Sequence, residues 1–461
     1  MQIIAIVGFG FCGRLALHHL IKKSAQQKII IFDKLGAKAL GPAFSSFSPH
    51  YILNVPAKNM SAFPDRPQDF CQFLEKEYPQ VWQEIGEKGF APRRIYGEYL
   101  QKITSEALAD ARNSGIEVEF VGEEISEVKI ENAQKKVIKI SGESLRDRKF
   151  IEEISTDFQK EFVENSSSFA LTTASGKSYQ ASEILLATSF VQSELPFNFS
   201  TKNLIKKLWD NDALQFHQQK FSDEKICLIG SGLTAVDLIV GLKKRNFAGK
   251  IFVISRRGNF PQKHFAHNPI QKAFIFSDDA KKGVLFLCLK IRKFLAANQQ
   301  YDLRHAIDSL RPITKELWQN FDAKNKKLFL RLLPYWNIFR HRAPAFSIEI
   351  IEEMLATKQL EVKKCGVKNI VLKNKKFEIE AKNEKIVCDY VVNCLGFEFN
   401  AKKYPFLEQM MTDNLLRSDL FLVSSNHQKI HLLGGLNIAR DFECTAVPDL
   451  RINVIDVVRK I

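Results

Sequence analysis

One pattern occurs twice in this chain and narrows its fold more than any other feature: an apolar strand breaks into a glycine turn and resumes at once as a helix. "IIAIVGFGFCGRLAL" opens the sequence with Gly8, Gly10 and Gly13. "EKICLIGSGLTAVDLIVGL" is the second copy, with Gly230 and Gly232 followed by Ala235 at the third position. In this spacing the first glycine allows a tight turn out of the strand. The second lets the backbone approach a pyrophosphate, and the third, glycine or alanine, lets the helix pack closely on the strand. The helix aims its N-terminal amides and the positive end of its dipole at the phosphates. A helix over Phe11 to Lys23 is expected in the first copy and a strand over Ile226 to Ile229 in the second. The fold class expected is α/β, with two Rossmann-like dinucleotide-binding domains.

The two copies differ in the charge at the end of their second strand. "KIIIFDK" ends in Asp33, 20 residues beyond Gly13, where a carboxylate binds a ribose hydroxyl. That acid suits FAD or NAD and not NADP. "KIFVIS" runs instead into Arg256 and Arg257 with no acid in place. Two guanidiniums there suit a 2′-phosphate, because arginine binds phosphate through a planar fork of donors. A solvated strand end is the plainer alternative. Together the sites are expected to hold FAD in the first domain and NADPH in the second, with hydride delivered from one to the other.

Length and motif positions give a domain plan. Residues 1–204 are expected to form the first part of an FAD-binding domain, 205–390 an NAD(P)H-binding domain with a helical insertion at about 264–358, and 391–461 the closing part of the FAD domain. After Asp33, "GPAFSSFSPHYILNVPAKNMSAFPDRP" reads as a long excursion over a ligand. Helices are expected around Asp69 to Leu74 and Tyr96 to Ser114, and strands in "IEVEFVGEEISEVKIEN" and on both sides of Gly176. The charged stretch "ESLRDRKFIEEISTDFQKEFVENSS" reads as a surface helix or mobile insertion. "KKGVLFLCLKIRKFLA" reads as a core-facing helix with lysines at its ends, in preference to a membrane-surface helix.

Composition excludes other classes. No stretch approaches the ~18 apolar residues of a membrane span. The opening apolar run is the first strand and not a signal peptide, so a cytoplasmic location is expected. The eight cysteines form no C-x-x-C pair, which argues against a zinc site and against a redox-active dithiol. The net charge of +15 raises the question of nucleic acid. Its lysines, however, are spread along the chain without an aromatic-interleaved basic module, and an anionic cofactor and small-molecule substrate account for part of it.

With both turns placed, the chain resembles the FAD/NAD(P)-binding oxidoreductase family of two-dinucleotide flavoproteins, and more distantly the flavin-containing and N-hydroxylating monooxygenases. The resemblance rests on "GFGFCG", "YILNVPAKNMSAFPDRPQDF", "PRRIYGEYL", "LIGSGLTAVD" with "ISRRGNFPQKH", "LLPYWNIFRHRAP", "VVNCLG" and "ECTAVPDLR", in that order. It implies that Asn54, Val55 and Met60 belong to the FAD pocket, that Arg94 with Tyr96 helps close it, and that Thr188 and Gly396 pass close to cofactor. The chain reads A-T-S at Ala187 to Ser189 where the family more often has A-T-G. Gly434 and Gly435 are expected to bring a last helix, beginning near Thr445, end-on to the flavin ring, where its amides stabilise negative charge. Glu443 and Arg451 match the closing motif, in either a capping and ion-pair role or a cofactor role.

No catalytic side chain is fixed by the sequence. The cluster Arg340, His341 and Arg342 reads either as an anion- or substrate-facing group with His341 as proton donor, or as a basic turn packed between helices. His264 either contacts nicotinamide or substrate, or packs. The expected activity is an NADPH-reduced FAD enzyme, foremost a monooxygenase acting on a small molecule through a flavin hydroperoxide. A reductase serving another acceptor is the first alternative. A binding protein that keeps the fold without the chemistry, or a flavoprotein docked on an anionic macromolecule, are rivals from other classes.

Overall fold

The computed structural model describes residues 2–461 except 24–26, 46–47, 132–167, 189–190, 198, 200, 209–212, 214–215, 217–218, 222, 266–268, 383, 399–402 and 420–421. The charged stretch at 143–167 and Ser189 therefore lie outside the described residues.

Each glycine turn leaves the central strand of a five-stranded, all-parallel sheet. The first sheet runs Ile430–Leu432, Glu183–Leu186, Gln2–Val7, Gln27–Phe32, Glu117–Val121. The second runs Leu204–Ile205, Tyr390–Asn393, Lys225–Ile229, Lys250–Ser255, Leu360–Lys364. Central strands such as "QIIAIV" and "KICLI" are near-continuous apolar runs, as burial on both sheet faces requires. The helix Phe11–Lys23 follows the first turn, as expected, and Leu233–Lys244 the second.

The likeness of the two halves extends beyond the strand-turn-helix units. Each sheet is followed by a three-stranded antiparallel meander before the chain returns to the strand beside the glycine-turn strand, Glu183–Leu186 or Tyr390–Asn393: Ile125–Glu131, Ser168–Thr173 and Ser178–Ala181 in the first unit, Val367–Lys373, Lys376–Ala381 and Glu384–Cys388 in the second. The meanders explain where strand reading fell short. The alternating segment after Ile116 is divided between two sheets, and beyond Gly176 the chain breaks at Ser182 into Ser178–Ala181 of the meander and Glu183–Leu186, the "ILLATS" strand, which returns to the first sheet as expected. The helices Pro79–Ile85 and Pro405–Thr412 and the hairpin Leu416–Asp419 with Leu422–Ser425 were not anticipated.

Both expected domain breaks cut a strand of the second sheet. Leu204 pairs with Val391, and Tyr390–Asn393 is a continuous strand, so the 204/205 and 390/391 breaks fall inside the sheet. Between the third and fourth strands of that sheet in chain order stand the helices Val284–Ala297, Leu303–Leu310, Thr314–Asn320 and Ala323–Arg340, around a core that includes Leu310, Trp318 and Phe321. The helix Ala345–Ala356 packs on Leu233–Lys244 and so belongs to the second sheet's own layer, which ends the insertion before 345. Val284–Ala297 was expected to face the core. Only Val284 and Leu287 on it are buried, while Leu285 and Leu289 are 65% and 55% exposed, because the apolar stripe is wider than the surface it meets.

The glycines of each turn divide into two kinds. A Cβ on Gly8 would stand 2.8 Å from the Ala187 carbonyl oxygen, and one on Gly13 would run into the Gly8 carbonyl. A Cβ on Gly232 meets nothing within 4 Å. We expect Gly13→Ala to lower the melting temperature or abolish soluble expression, at a cost of about 1–3 kcal/mol typical of overpacking. Gly232→Ala should leave the melting temperature unchanged, both read by differential scanning calorimetry.

Candidate functional site

At the first turn, the Gly8 N–H donates to the Phe32 carbonyl (2.8 Å), which sets the turn against the end of the neighbouring strand. Asp33 comes next. Its carboxylate accepts from the Phe9 N–H (2.9 Å) and the Leu35 N–H (3.0 Å), which holds an anionic group beside the turn, where a ribose diol is expected. Arg14, on the following helix, is buried and donates to the Ala37 and Ala39 carbonyls. Burial lowers its pKa to about 10, with Asp33 opposing the shift. This guanidinium, which no motif flagged, fixes the 36–39 loop over the first helix. The Thr188 hydroxyl beside Gly8 and the Tyr96 hydroxyl are buried without a hydrogen-bond partner among the described residues. Buried polar atoms are normally satisfied, so orphaned hydroxyls beside the turn fit a site built for a polar ligand.

The second turn repeats the arrangement: the Gly230 N–H donates to the Ile254 carbonyl (2.9 Å). By that register the residue equivalent to Asp33 is Ser255, and the two arginines follow it by one and two positions. Ser255 shares a hydrogen bond with Ser231 (2.9 Å), and Ser231 donates to the Asn259 carbonyl (2.7 Å). No carboxylate occupies the place of Asp33. Arg256 is exposed, and the Arg257 guanidinium lies over the Tyr335 ring at 5.0 Å.

A cleft of about 860 Å³ joins the two units. Gly230, Gly232, Arg256 and Arg257 line it from the second unit, together with Gly396. Asn54 and Arg93 reach it from the first, and Thr445 reaches it from the residue before the N-cap of the last helix, Val447–Val458. The helix Ala323–Arg340 supplies Pro334, Asn337 and Ile338, and His341 follows at its end. His264 ties the units across the rim: its Nε2 donates to the Asn54 carbonyl (2.8 Å), and burial lowers its pKa.

Several expected site residues lie elsewhere. Met60 is buried in the first core, and Val55 packs against that core. Arg94 is half exposed and pairs with Glu98 (3.0 Å) on the outer face of Arg93–Asn113. It is Arg93 that enters the cleft. Helical periodicity carried this distinction, because Arg94, Glu98, Gln101 and Ser105 form one polar stripe. Gly434 is buried, with φ +60°; a Cβ there would stand 3.0 Å from the Cys12 sulfur, and its N–H donates to Asn453 Oδ1 (3.2 Å). Gly434 and Gly435 thus begin the Gly434–Asn437 turn packed on the first helix.

The basic cluster is corrected in two of its three members. The Arg340 guanidinium is held by Glu443 (3.0 Å) and Asp449 (3.0 Å), which join the helical block to the closing segment. Arg342 donates to Asp308 (2.9 Å) and to the Phe339 and Arg304 carbonyls. Neither charge is left for a ligand, and Arg342 drops out as a catalytic candidate. Burial and the neighbouring Arg340 and Arg311 push the His341 pKa down to about 3, so its ring is neutral at pH 7 and no imidazolium donor stands there. Glu443 serves the ion pair, and Arg451 donates to the Ser61 carbonyl (2.7 Å).

The inter-unit contact beside the second turn was not foreseen. Arg93 pairs with Asp237 (3.1 Å), their side chains only 12% and 9% exposed. Burial raises the Asp237 pKa to about 6, while Arg93 opposes the rise. Because the raised carboxyl holds its proton more tightly folded than unfolded, its contribution to stability falls as pH rises through about 4 to 6. Removing the arginine strands the carboxylate. We expect Arg93→Met to cost about 3–5 kcal/mol at pH 8. At pH 5, where the unpaired carboxyl takes up a proton, the loss should be smaller; thermal unfolding at the two pH values checks this.

Residues 5–151 match the sequence profile of the FAD-NAD(P)-binding family. No curated protein matches the chain. The ornithine hydroxylase of Pseudomonas aeruginosa superposes with a TM-score of 0.63 at 13% identity, over 100% of this chain and 98% of that one. The ornithine N-hydroxylase of Kutzneria sp. 744, in a structure named for reduced FAD, NADP+ and L-ornithine, gives 0.63 at 11%, over 99% and 97%. The bacillithiol disulfide reductase of Staphylococcus aureus gives 0.53 at 13%, over 100% and 98%. The chain therefore shares the FAD-NAD(P)-binding profile over residues 5–151 and the fold of these hydroxylases and this reductase along its whole length. No described helix is long and apolar enough to cross a membrane, and no group of three His, Cys, Asp or Glu among the described residues is placed to hold a metal.

Proposed function

We propose that this chain, with its two-dinucleotide flavoprotein fold, is an FAD-dependent oxidoreductase reduced by NADPH and acts as a monooxygenase on a small molecule. One observation carries the reading: a single cleft is lined both by the second glycine turn with its arginine pair and by Asn54 and Thr445 of the first unit. Two redox cofactors that exchange a hydride must meet in one water-poor space, and this cleft is where residues of both units meet. FAD bound at the first turn supplies hydride acceptance and the onward transfer of electrons to dioxygen.

The chain's own residues bind and orient. Gly8, Gly10 and Gly13 keep side chains away from the first pyrophosphate, and Asp33 accepts from the ribose. Gly230, Gly232 and Ala235 do the same for NADPH, whose 2′-phosphate meets Arg256 and Arg257. Thr445, just before the last helix, brings the start of that helix to the cleft, where the positive end of its dipole favours developing negative charge. The neutral His341 lines the wall as a hydrogen-bonding group and not as a charge. The small-molecule substrate and a cytoplasmic location belong to the same reading, and the eight unpaired cysteines support that location.

A reductase is the second reading, because Cys365 and Cys394 both line the cleft. Burial pushes the Cys394 thiol up, which makes it a poor nucleophile and favours the monooxygenase.

The visible spectrum of the purified protein, before and after anaerobic NADPH, tests the reading. A flavin spectrum that bleaches supports it, and a colourless protein that takes up no FAD leaves a binding protein in its place. Gly10→Val should give colourless, folded protein, since the nearest atoms a Cβ meets there are those of Gly41 and Leu40, at 3.6 Å and beyond. Changing Arg256 and Arg257 to alanine should raise the KM for NADPH about 10–100-fold, the worth of charge-assisted hydrogen bonds, and leave that for NADH little changed.

A further inference from the structure

The helical block and Phe442 form a second cavity, of about 240 Å³, open on one side and separate from the cleft. Leu287 and Ile291 form one side, Ile307 and Leu310 another, Trp318 and Phe321 a third. No charged side chain lines it. Two of its polar groups are already engaged: the Thr314 hydroxyl donates to the Leu310 carbonyl (2.8 Å) and the Trp318 indole to the Ala439 carbonyl (2.9 Å). An apolar cavity of about 150 Å³ stays dry and accepts a benzene ring. This one is larger, and a charged amine or amino acid entering it would lose its hydration without a partner.

Two features connect the cavity to the cleft. The helix Ala323–Arg340 is shared: Tyr335, Trp336 and Phe339 face the cavity, while Pro334, Asn337 and Ile338 face the cleft on roughly the opposite side. The second feature is Phe442, whose ring closes the cavity against Trp318 (5.1 Å) and Phe329 (5.0 Å). Its backbone stands at φ 57°, ψ −61°, and the Glu443 N–H donates to the Asp441 carbonyl (2.7 Å) across it. That is the strained form of the γ-turn, which a bulky residue adopts only when its surroundings impose it. Three residues on, the same chain delivers Thr445 to the cleft.

We propose that this cavity is a binding site for an uncharged apolar small molecule, a medium alkyl chain or an aromatic ring system, set behind the helix that walls the nucleotide cleft. The site is formed by the helical block and Phe442, with no residue of either glycine turn, so it does not depend on the redox reading.

Trp318 and Trp336 both line the cavity and report on its occupancy. Tryptophan emission of the purified full-length protein is titrated with 1-octanol and, separately, with L-ornithine. The expected result is a saturable change with 1-octanol and none with L-ornithine. Leu287→Phe and Ile307→Phe each fill the cavity from a different helix and should weaken 1-octanol binding at least tenfold. Leu285→Phe, on the exposed outer face, should not. Retained thermal unfolding shows that a filled variant has folded, and two fillers guard against one that does not. Absence of saturation with 1-octanol overturns the proposal. So does saturation that neither folded filler weakens, or an equal response to L-ornithine. Flavin content and NADPH bleaching are measured on the same samples, so a failure of the redox reading is seen separately.

Discussion

Both nucleotide units rest on a contact between backbones that only glycine permits. Gly8 and Gly230 sit at φ +96° and +113°, each against the carbonyl that ends a neighbouring parallel strand, Ala187 in one sheet and Cys394 in the other. The turn can leave the sheet there only if no Cβ intervenes. Everything downstream inherits that position: the helix that starts at Phe11 or Leu233, the amides at its N-terminus, and the place where the next strand ends, in Asp33 or in Ser255. The same geometry in both sheets makes the difference meaningful: an acid stands at the end of one strand, and at the corresponding point of the other stands Ser255, with the arginine pair just beyond it.

Charge in the cleft is sorted by pairing. Arg340, Arg342 and Arg93 are strongly basic side chains near or within the site, and each has a carboxylate: Glu443 and Asp449, Asp308, and Asp237. These pairs connect pieces of the fold that are distant in sequence. Arg256 and Arg257 differ, one exposed and the other resting on an aromatic face, and so the basic surface of the cleft is concentrated where a 2′-phosphate would lie. His341 illustrates the cost of crowding: buried beside two arginines, it is held neutral.

The helical block has two roles through one element. Ala323–Arg340 has no buried residue, because one face lines the nucleotide cleft and the other the apolar cavity. The strained Phe442 lies where the closing segment passes from the cavity to the cleft. A ligand in either space therefore touches the same helix and the same short run of chain.

The sequence by itself determined the two strand-turn-helix units, down to the ends of Phe11–Lys23, because glycine spacing and apolar runs are local signals of backbone geometry. It also determined the opposite charges at the two strand ends, since these are matters of residue identity. Tertiary structure alone decided which basic residues are spent and which face the cleft. Arg340, Arg342 and Arg94 read like Arg256 in sequence, and only their partners, 103 and 34 positions away for the first two, separate them. It likewise decided that the alternating strands after Ile116 divide between two sheets, and that the domain breaks pass outside Leu204 and Asn393. Pairing partners, burial and cavities are set by chain segments meeting across the fold, and a sequence read along its length holds no local record of those meetings.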